Sequence, residues 1–137
     1  MLVHSDLTGR VIGLAIQVHR ALGPGLLESV YETCLAFELK QACIPFRRQA
    51  PIPVMYRGNR LRTGFRADLL IADDLIVEIK AVNHLVPEHD AQALTYLRMS
   101  GCQVVLLLNF SGLRLKDGLR RFVRTRPDGA DEPDCLN

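Results

Sequence analysis

Two apolar segments lying close together in the chain, Phe65-Arg66-Ala67-Asp68-Leu69-Leu70-Ile71 and Ile76-Val77-Glu78-Ile79-Lys80, have the composition of buried strands yet are interrupted by ionisable side chains. Desolvating a carboxylate costs several kcal/mol unless a cation or hydrogen bonds compensate it, so acids embedded in such strands need a structural reason. Residues two apart on a strand project from the same face, which puts Glu78 and Lys80 together and sends Val77 and Ile79 to the other side. Whether Asp68 joins them depends on the turn between the segments. A two-residue turn at Asp73-Asp74 sets Asp68 opposite Ile79, on the wrong face, whereas an odd loop centred on Asp73, or a bulge, sets it opposite Glu78. The pattern predicts such a loop, of three or five residues.

With that register, the two carboxylates and a nearby backbone carbonyl, that of Ile79, form an all-oxygen site suited to magnesium or manganese. Such an ion polarises a phosphoryl oxygen and acidifies a bound water, while the ammonium of Lys80 orients that water or offsets charge developing at phosphorus. An Asp68–Lys80 or Glu78–Lys80 ion pair at a sheet edge is the competing reading, since an isolated E-x-K is very common.

The flanking sequence supplies the frame. Val11, Leu14, Ala15 and Val18, widened by Ile12 and Ile16, predict a helix over 8–21, stopped by Gly23-Pro24-Gly25. A second helix is expected over 26–42, with Leu27, Val30, Tyr31, Cys34, Leu35 and Leu39 as its core stripe and Pro45 beyond its end. An extended segment over 46–54 reads as a sheet edge because of Pro51 and Pro53. A turn at Gly58-Asn59 and strands over 61–71 and 75–80 follow. Residues 87–100 return to helical spacing, with Pro87 in the first turn and Ala91, Leu94 and Leu97 on the buried side. Val104 to Leu108 is a continuous branched apolar run, the mark of a strand covered on both faces, and a last strand is expected over 120–124. The order calls for an α/β fold, a mixed central sheet flanked by helices. Residues 1–125 form one domain, and 126–137 are expected to be a disordered acidic tail.

Charge points outward from the same frame. The chain has 17 Lys and Arg, but four of its 15 acids fall in the last ten residues, so residues 1–127 carry 17 bases against 11 acids, a net +6. That suggests a polyanionic partner. Two basic segments, Arg47, Arg48, Arg57, Arg60, Arg62 and Arg66 before the acids' end and Arg114, Lys116, Arg120, Arg121, Arg124 and Arg126 after it, are candidates to line one phosphate-binding groove. Aromatic residues are too sparse there for a base-stacking platform. The longest uncharged stretch is broken by polar residues, which excludes a bilayer span, and the N-terminus lacks the order of a secretory signal, so a cytoplasmic location is expected. Cys34, Cys43, Cys102 and Cys135 occur singly, with no C-x-x-C pair; they read as reduced thiols, the first three partly buried.

Gly25-Leu26-Leu27-Glu28-Ser29-Val30-Tyr31 resembles the signature of the small bacterial GxxExxY proteins, a branch of the PD-(D/E)XK nuclease-like superfamily. The likeness continues through residues 18–25, Gln49-Ala50-Pro51-Ile52-Pro53-Val54, Asp68, Glu78-Ile79-Lys80, Ala91-Gln92-Ala93-Leu94-Thr95-Tyr96-Leu97 and Leu108-Asn109-Phe110. It implies a restriction-endonuclease-like core, α-β-β-β-α-β, with a magnesium-type site. By the same resemblance Asp68 and Glu78 are metal ligands, Lys80 is the catalytic lysine, and Glu28 contributes to the metal or its water shell. Gln92 and Tyr96, i and i+4 on one helix face, match a Q-x-x-x-Y pattern that supports the site and contacts the nucleic acid strand. The proline of the motif is absent, Ala67 standing before Asp68.

Tyr31 reads as a core residue with a bonded hydroxyl, His19 as structural, and His84 and His89 as solvated loop histidines. The function expected is metal-dependent hydrolysis of DNA or RNA without sequence specificity. The alternative is a non-catalytic nucleic-acid-binding or assembly module that keeps the fold, and a second copy of the chain is among the expected partners, as a homodimer.

Overall fold

The computed structural model describes residues 4–124 and 135–136. Helices α1 (His4–Leu22) and α2 (Glu28–Gln41) precede strands β1 (Phe46–Tyr56), β2 (Asn59–Ile71) and β3 (Leu75–Lys80). Helix α3 (Pro87–Ser100) leads to β4 (Val104–Asn109), a 3-10 turn (Leu115–Gly118), β5 (Leu119–Val123) and β6 (Cys135–Leu136). One six-stranded sheet runs in chain order, antiparallel everywhere except β3–β4, which α3 joins as a parallel crossover. The α/β fold class and the α-β-β-β-α-β core expected from sequence are both present.

Helices cover both faces of the sheet. On one face, Val11, Ala15 and Val18 of α1 and Tyr31, Leu35 and Leu39 of α2 pack on Leu69, Ile71, Val77, Ile79, Leu106 and Leu108. On the other, Ala93, Tyr96 and Leu97 of α3 pack on Ile52, Leu70, Ile76, Val105 and Leu107. β4 is buried along its whole length, as its branched run requires. Each large aliphatic side chain removed from water contributes about 1.5–3 kcal/mol.

Four local expectations need correction. α2 starts at Glu28, and Leu27 lies at its N-cap position, 74% exposed, with Val30 exposed as well. The cause is the Gly-Pro-Gly elbow: Gly23 (φ 72) and Gly25 (φ 104) carry the chain outward before the helix begins, so the buried stripe becomes Tyr31, Glu32, Leu35, Ala36 and Leu39. On α3 the sheet is covered by Ala93, Tyr96 and Leu97, leaving Ala91 exposed and Leu94 half-buried, because the large Tyr96 ring takes the central place. The β1–β2 turn is Arg57-Gly58, enclosed by the Tyr56–Asn59 pair, and both residues take the positive φ (51 and 81) that a tight hairpin turn demands. Cys43 is exposed, while Cys34 is half-buried and Cys102 buried.

β1 is a sheet edge, as its prolines imply. The expected disordered tail falls largely on residues 125–134 and 137, outside the described residues, while Cys135–Leu136 pairs with β5. Among the described residues no helix is long and apolar enough to cross a membrane.

Candidate active site

β2 and β3 are joined by the three-residue loop Ala72-Asp73-Asp74, with Ile71 paired to Leu75. Ala72 and Asp73 take left-handed φ of 52 and 56, and the Asp74 amide closes on the Ile71 carbonyl at 3.0 Å. This is the odd loop centred on Asp73 that the ionisable pattern called for. Leu70 then pairs with Ile76 and Leu69 with Val77, which aligns Asp68 with Glu78.

The main-chain ladder stops at that point, and the two carboxylates replace it. The Asp68 amide donates to Glu78 Oε2 at 3.0 Å, and the Ile79 amide donates to Asp68 Oδ2 at 2.7 Å. Each acid therefore caps an amide of the opposite strand that the parting of the backbones frees. Leaving a buried amide unpaired would cost about 1–3 kcal/mol, so the acids are held by the same bonds that tie off the sheet. Lys80, two residues beyond Glu78, reaches Gln92 Oε1 on α3 at 3.4 Å.

The strands change facing at the same level. Phe65 and Ala67 face α3 together with Leu70, whereas Leu69 and Ile71 face α1 and α2. In β1, Phe46 faces α1 and α2 while Ala50 and Ile52 face α3. The slip in β1 is made at Gln49, whose φ is 49. From there its Nε2 donates to Glu32 Oε1 at 2.8 Å and to Asp68 Oδ1 at 3.2 Å. Glu32, buried on α2, also takes Arg48 Nε at 2.9 Å. Sequence reasoning named Gln49 only within the resemblance, with no role, and did not single out Glu32. The available signal was an acid beside Tyr31 on the buried stripe of α2.

The other expected site residues are placed as follows. Glu28, at the start of α2, accepts the Ala81 amide on Oε2 at 3.0 Å and so fixes the chain just past Lys80. Tyr96 is buried; its hydroxyl donates to the Arg66 carbonyl at 3.4 Å and its ring meets Phe65 at 5.0 Å between centroids, so it clamps β2 against α3 rather than facing outward. Tyr31 is a core residue as expected. Its hydroxyl donates to Gly23 O at 2.6 Å, accepts from the Leu26 amide at 3.2 Å, and its ring stacks on Phe110 at 4.4 Å. His19 is structural, its Nε2 lying 2.9 Å from Gly112 O and 3.2 Å from Phe110 O. His84 is exposed in the β3–α3 connection as expected, but His89 is not a solvated loop residue: it is half-buried in the first turn of α3 and caps it, its Nδ1 accepting the Val86 amide at 3.0 Å. Asn109, named above only in the resemblance, ties β4 to the β3–α3 connection through Val82, accepting its amide at 3.1 Å and donating to its carbonyl at 2.9 Å.

The electrostatics follow from burial. Glu78, only 4% exposed, has its carboxyl pushed up to about 8, first by desolvation and next by the neighbouring Asp68 charge. The Asp68 amide and the Lys80 ammonium offset this in part, and Glu28 adds to it. The Tyr96 hydroxyl is pushed up to about 12 by burial and by the charges of Glu78 and Asp68, so it remains a donor. Among the described residues no group of three or more His, Cys, Asp or Glu side chains that could hold a metal ion forms. The pair that does converge consists of oxygen donors only, and its mutual repulsion is the kind a hard dication relieves, so Asp68 and Glu78 fit one.

Among the described residues the two basic segments stand apart on the sheet, the first on the β1–β2 hairpin and the second at the 3-10 turn and β5, with β3 and β4 between them; Arg126 lies outside the described residues. Several of their members are engaged locally: Arg47 with Asp73, Arg48 with Glu32, Arg114 with Asp117, Arg120 with Asp90, and Arg124 with the Cys102 and Leu97 carbonyls.

A family model described as the PD-(D/E)XK nuclease superfamily matches residues 5–122, which spans both helix layers, the strand fork and all of β4. The chain belongs to that superfamily. No curated protein and no solved structure matches it. PD-(D/E)XK nucleases generally use divalent metals and act on nucleic acid. In this PD-(D/E)XK chain the residue before the first acid is Ala67, fully buried against α3, where the motif has proline.

Proposed function

We propose that this PD-(D/E)XK protein is a divalent-metal-dependent nuclease that hydrolyses phosphodiester bonds of DNA or RNA. The observation that carries the reading is the fork between β2 and β3, where Asp68 and Glu78 each cap the other strand's amide with Lys80 on the same face. Asp68, Glu78 and the Ile79 carbonyl would hold magnesium or manganese. When bound, the cation supplies Lewis acidity toward a phosphoryl oxygen and acidifies a water. Lys80, steered by Gln92, offsets charge developing on the phosphate. Gln49 orients Asp68 from β1, Glu28 secures the end of β3 through Ala81, and Tyr96 keeps β2 from shifting against α3.

Membership of the GxxExxY branch is part of the same reading. Each signature position has a task in the fold that supports it: Gly25 a φ of 104, Glu28 the Ala81 amide, Tyr31 the elbow. A bacterial, cytoplasmic setting, a single nuclease domain over 1–125, and action as a monomer or homodimer complete it.

Single- and double-stranded DNA and RNA are incubated with magnesium or manganese and wild type, Asp68→Asn or Lys80→Ala. Cleavage by wild type alone is the expected result; equal cleavage by all three is a contaminant and removes the proposal. Nucleic-acid binding with no calorimetric uptake of manganese would favour the non-catalytic module instead.

A further inference from the structure

The β1–β2 hairpin is far longer than the sheet it belongs to. β3 pairs with β2 only over residues 69–71, so from Asp68 back to Asn59 strand β2 has β1 as its sole partner. The result is a free two-stranded ribbon. Its base is anchored on α3 through Ala50, Ile52, Ala67 and the Phe65–Tyr96 contact, while residues 55–60 at its tip are all exposed. Residues 51–67 contain Arg57, Arg60, Arg62 and Arg66 and no acid at all. Arg47, Arg48, Arg114 and Arg120 are paired with carboxylates, whereas among the described residues no carboxylate lies within ion-pair distance of Arg57, Arg60 or Arg66, and Arg66 donates to the Gln49 carbonyl at 3.1 Å.

We infer that this ribbon is an arm that lies in the major groove of duplex DNA beside the cleavage site, which makes double-stranded DNA the substrate class. The inference rests on the nuclease reading for its placement. Three features carry it. A two-stranded ribbon fits the major groove of B-form DNA, whereas the corresponding groove of an RNA duplex is too deep and narrow to admit one. The guanidinium groups of Arg57 and Arg60, clear of carboxylates, complement the phosphates that border the groove. The ribbon also begins at a site acid: Asp68 lies opposite Gln49 and Arg60 pairs with Met55 beyond a bulge, so β1 sets the reach between them, about 20 Å at roughly 3.3 Å per residue. At about 3.4 Å per base pair, the arm spans roughly six base pairs from the scissile phosphate. The apolar tip residues Met55 and Tyr56, 48% and 60% exposed, have base edges and thymine methyl groups to meet there.

The test is binding by the full chain in the absence of divalent cation, over a range of salt, to a DNA duplex of about two helical turns, to one of its strands, and to the RNA duplex of the same sequence. Arg57→Gln/Arg60→Gln should weaken duplex DNA binding about tenfold at moderate salt and reduce the slope of log K against log salt by about 2. The charge-keeping Arg57→Lys/Arg60→Lys pair should retain the slope, which separates charge from folding. Loss of equal size on the single strand or the RNA duplex overturns the inference in favour of general electrostatics. An unchanged slope overturns it too, leaving the arginines to guard free strand edges against strand addition. Because no cleavage is read, a protein that binds through the arm but never cuts refutes the nuclease reading alone, and one that cuts with an unchanged slope refutes the arm alone.

Discussion

Glu78 titrates at about 8 in the folded protein against 4.5 for an unperturbed carboxyl, so between those values the folded chain holds a proton that the unfolded chain has released. For a group shifted upward, stability is fully present below the lower value and is lost as pH rises through the higher one. Metal-free protein is therefore expected to melt at a lower temperature at pH 9 than at pH 5, with Glu78→Gln removing most of that difference. Manganese should raise the melting temperature of wild type at pH 8 and leave Glu78→Gln unmoved. Lys80 makes a different prediction, since its one described side-chain partner is the amide of Gln92. Lys80→Ala should lower cleavage by roughly 10²–10³, the usual loss for a group that stabilises developing charge, with little change in melting temperature. A comparable drop in melting temperature would mark Lys80 as structural.

The elements show why some of this could be read in advance. β3 and α3 fall on the expected residues because their limits are set locally, by Pro87 and by Gly101 with its φ of 77. The odd Asp73 loop was legible because only that register brings three ionisable groups to one face. Gln49 and Glu32 were not, because a left-handed glutamine in a strand and an acid on a buried helix stripe make sense only once α2 and β1 are packed together. Deleting Asp73 to leave a two-residue turn should abolish manganese uptake, measured by calorimetry, while Asp73→Gly, which suits a φ of 56, should preserve it. At the elbow, Tyr31→Phe strips the Gly23 carbonyl and Leu26 amide of their partner and should cost about 1–3 kcal/mol by denaturant unfolding, with the Phe110 stack intact.

For the molecule as a whole, burial is most complete in β3 and β4, the parallel pair covered from both sides. Leu106→Ala, at a fully buried position there, should cost about 2–5 kcal/mol in a single cooperative transition. A cost below about 1 kcal/mol would place the core elsewhere. The sequence announced a basic surface, but not that Arg57 and Arg60 stand clear of carboxylates at one hairpin tip while Arg120 pairs with Asp90 and Arg124 bonds the Cys102 and Leu97 carbonyls. The parting of β2 from β3 has a practical corollary for variants meant to test the proposed chemistry. Truncating either acid to alanine strands an opposing peptide nitrogen and loosens the junction, so silence in an assay would confound lost chemistry with a damaged scaffold. Carboxamide replacements keep an oxygen for that nitrogen and forfeit only the ionic charge, which makes them the cleaner knockouts.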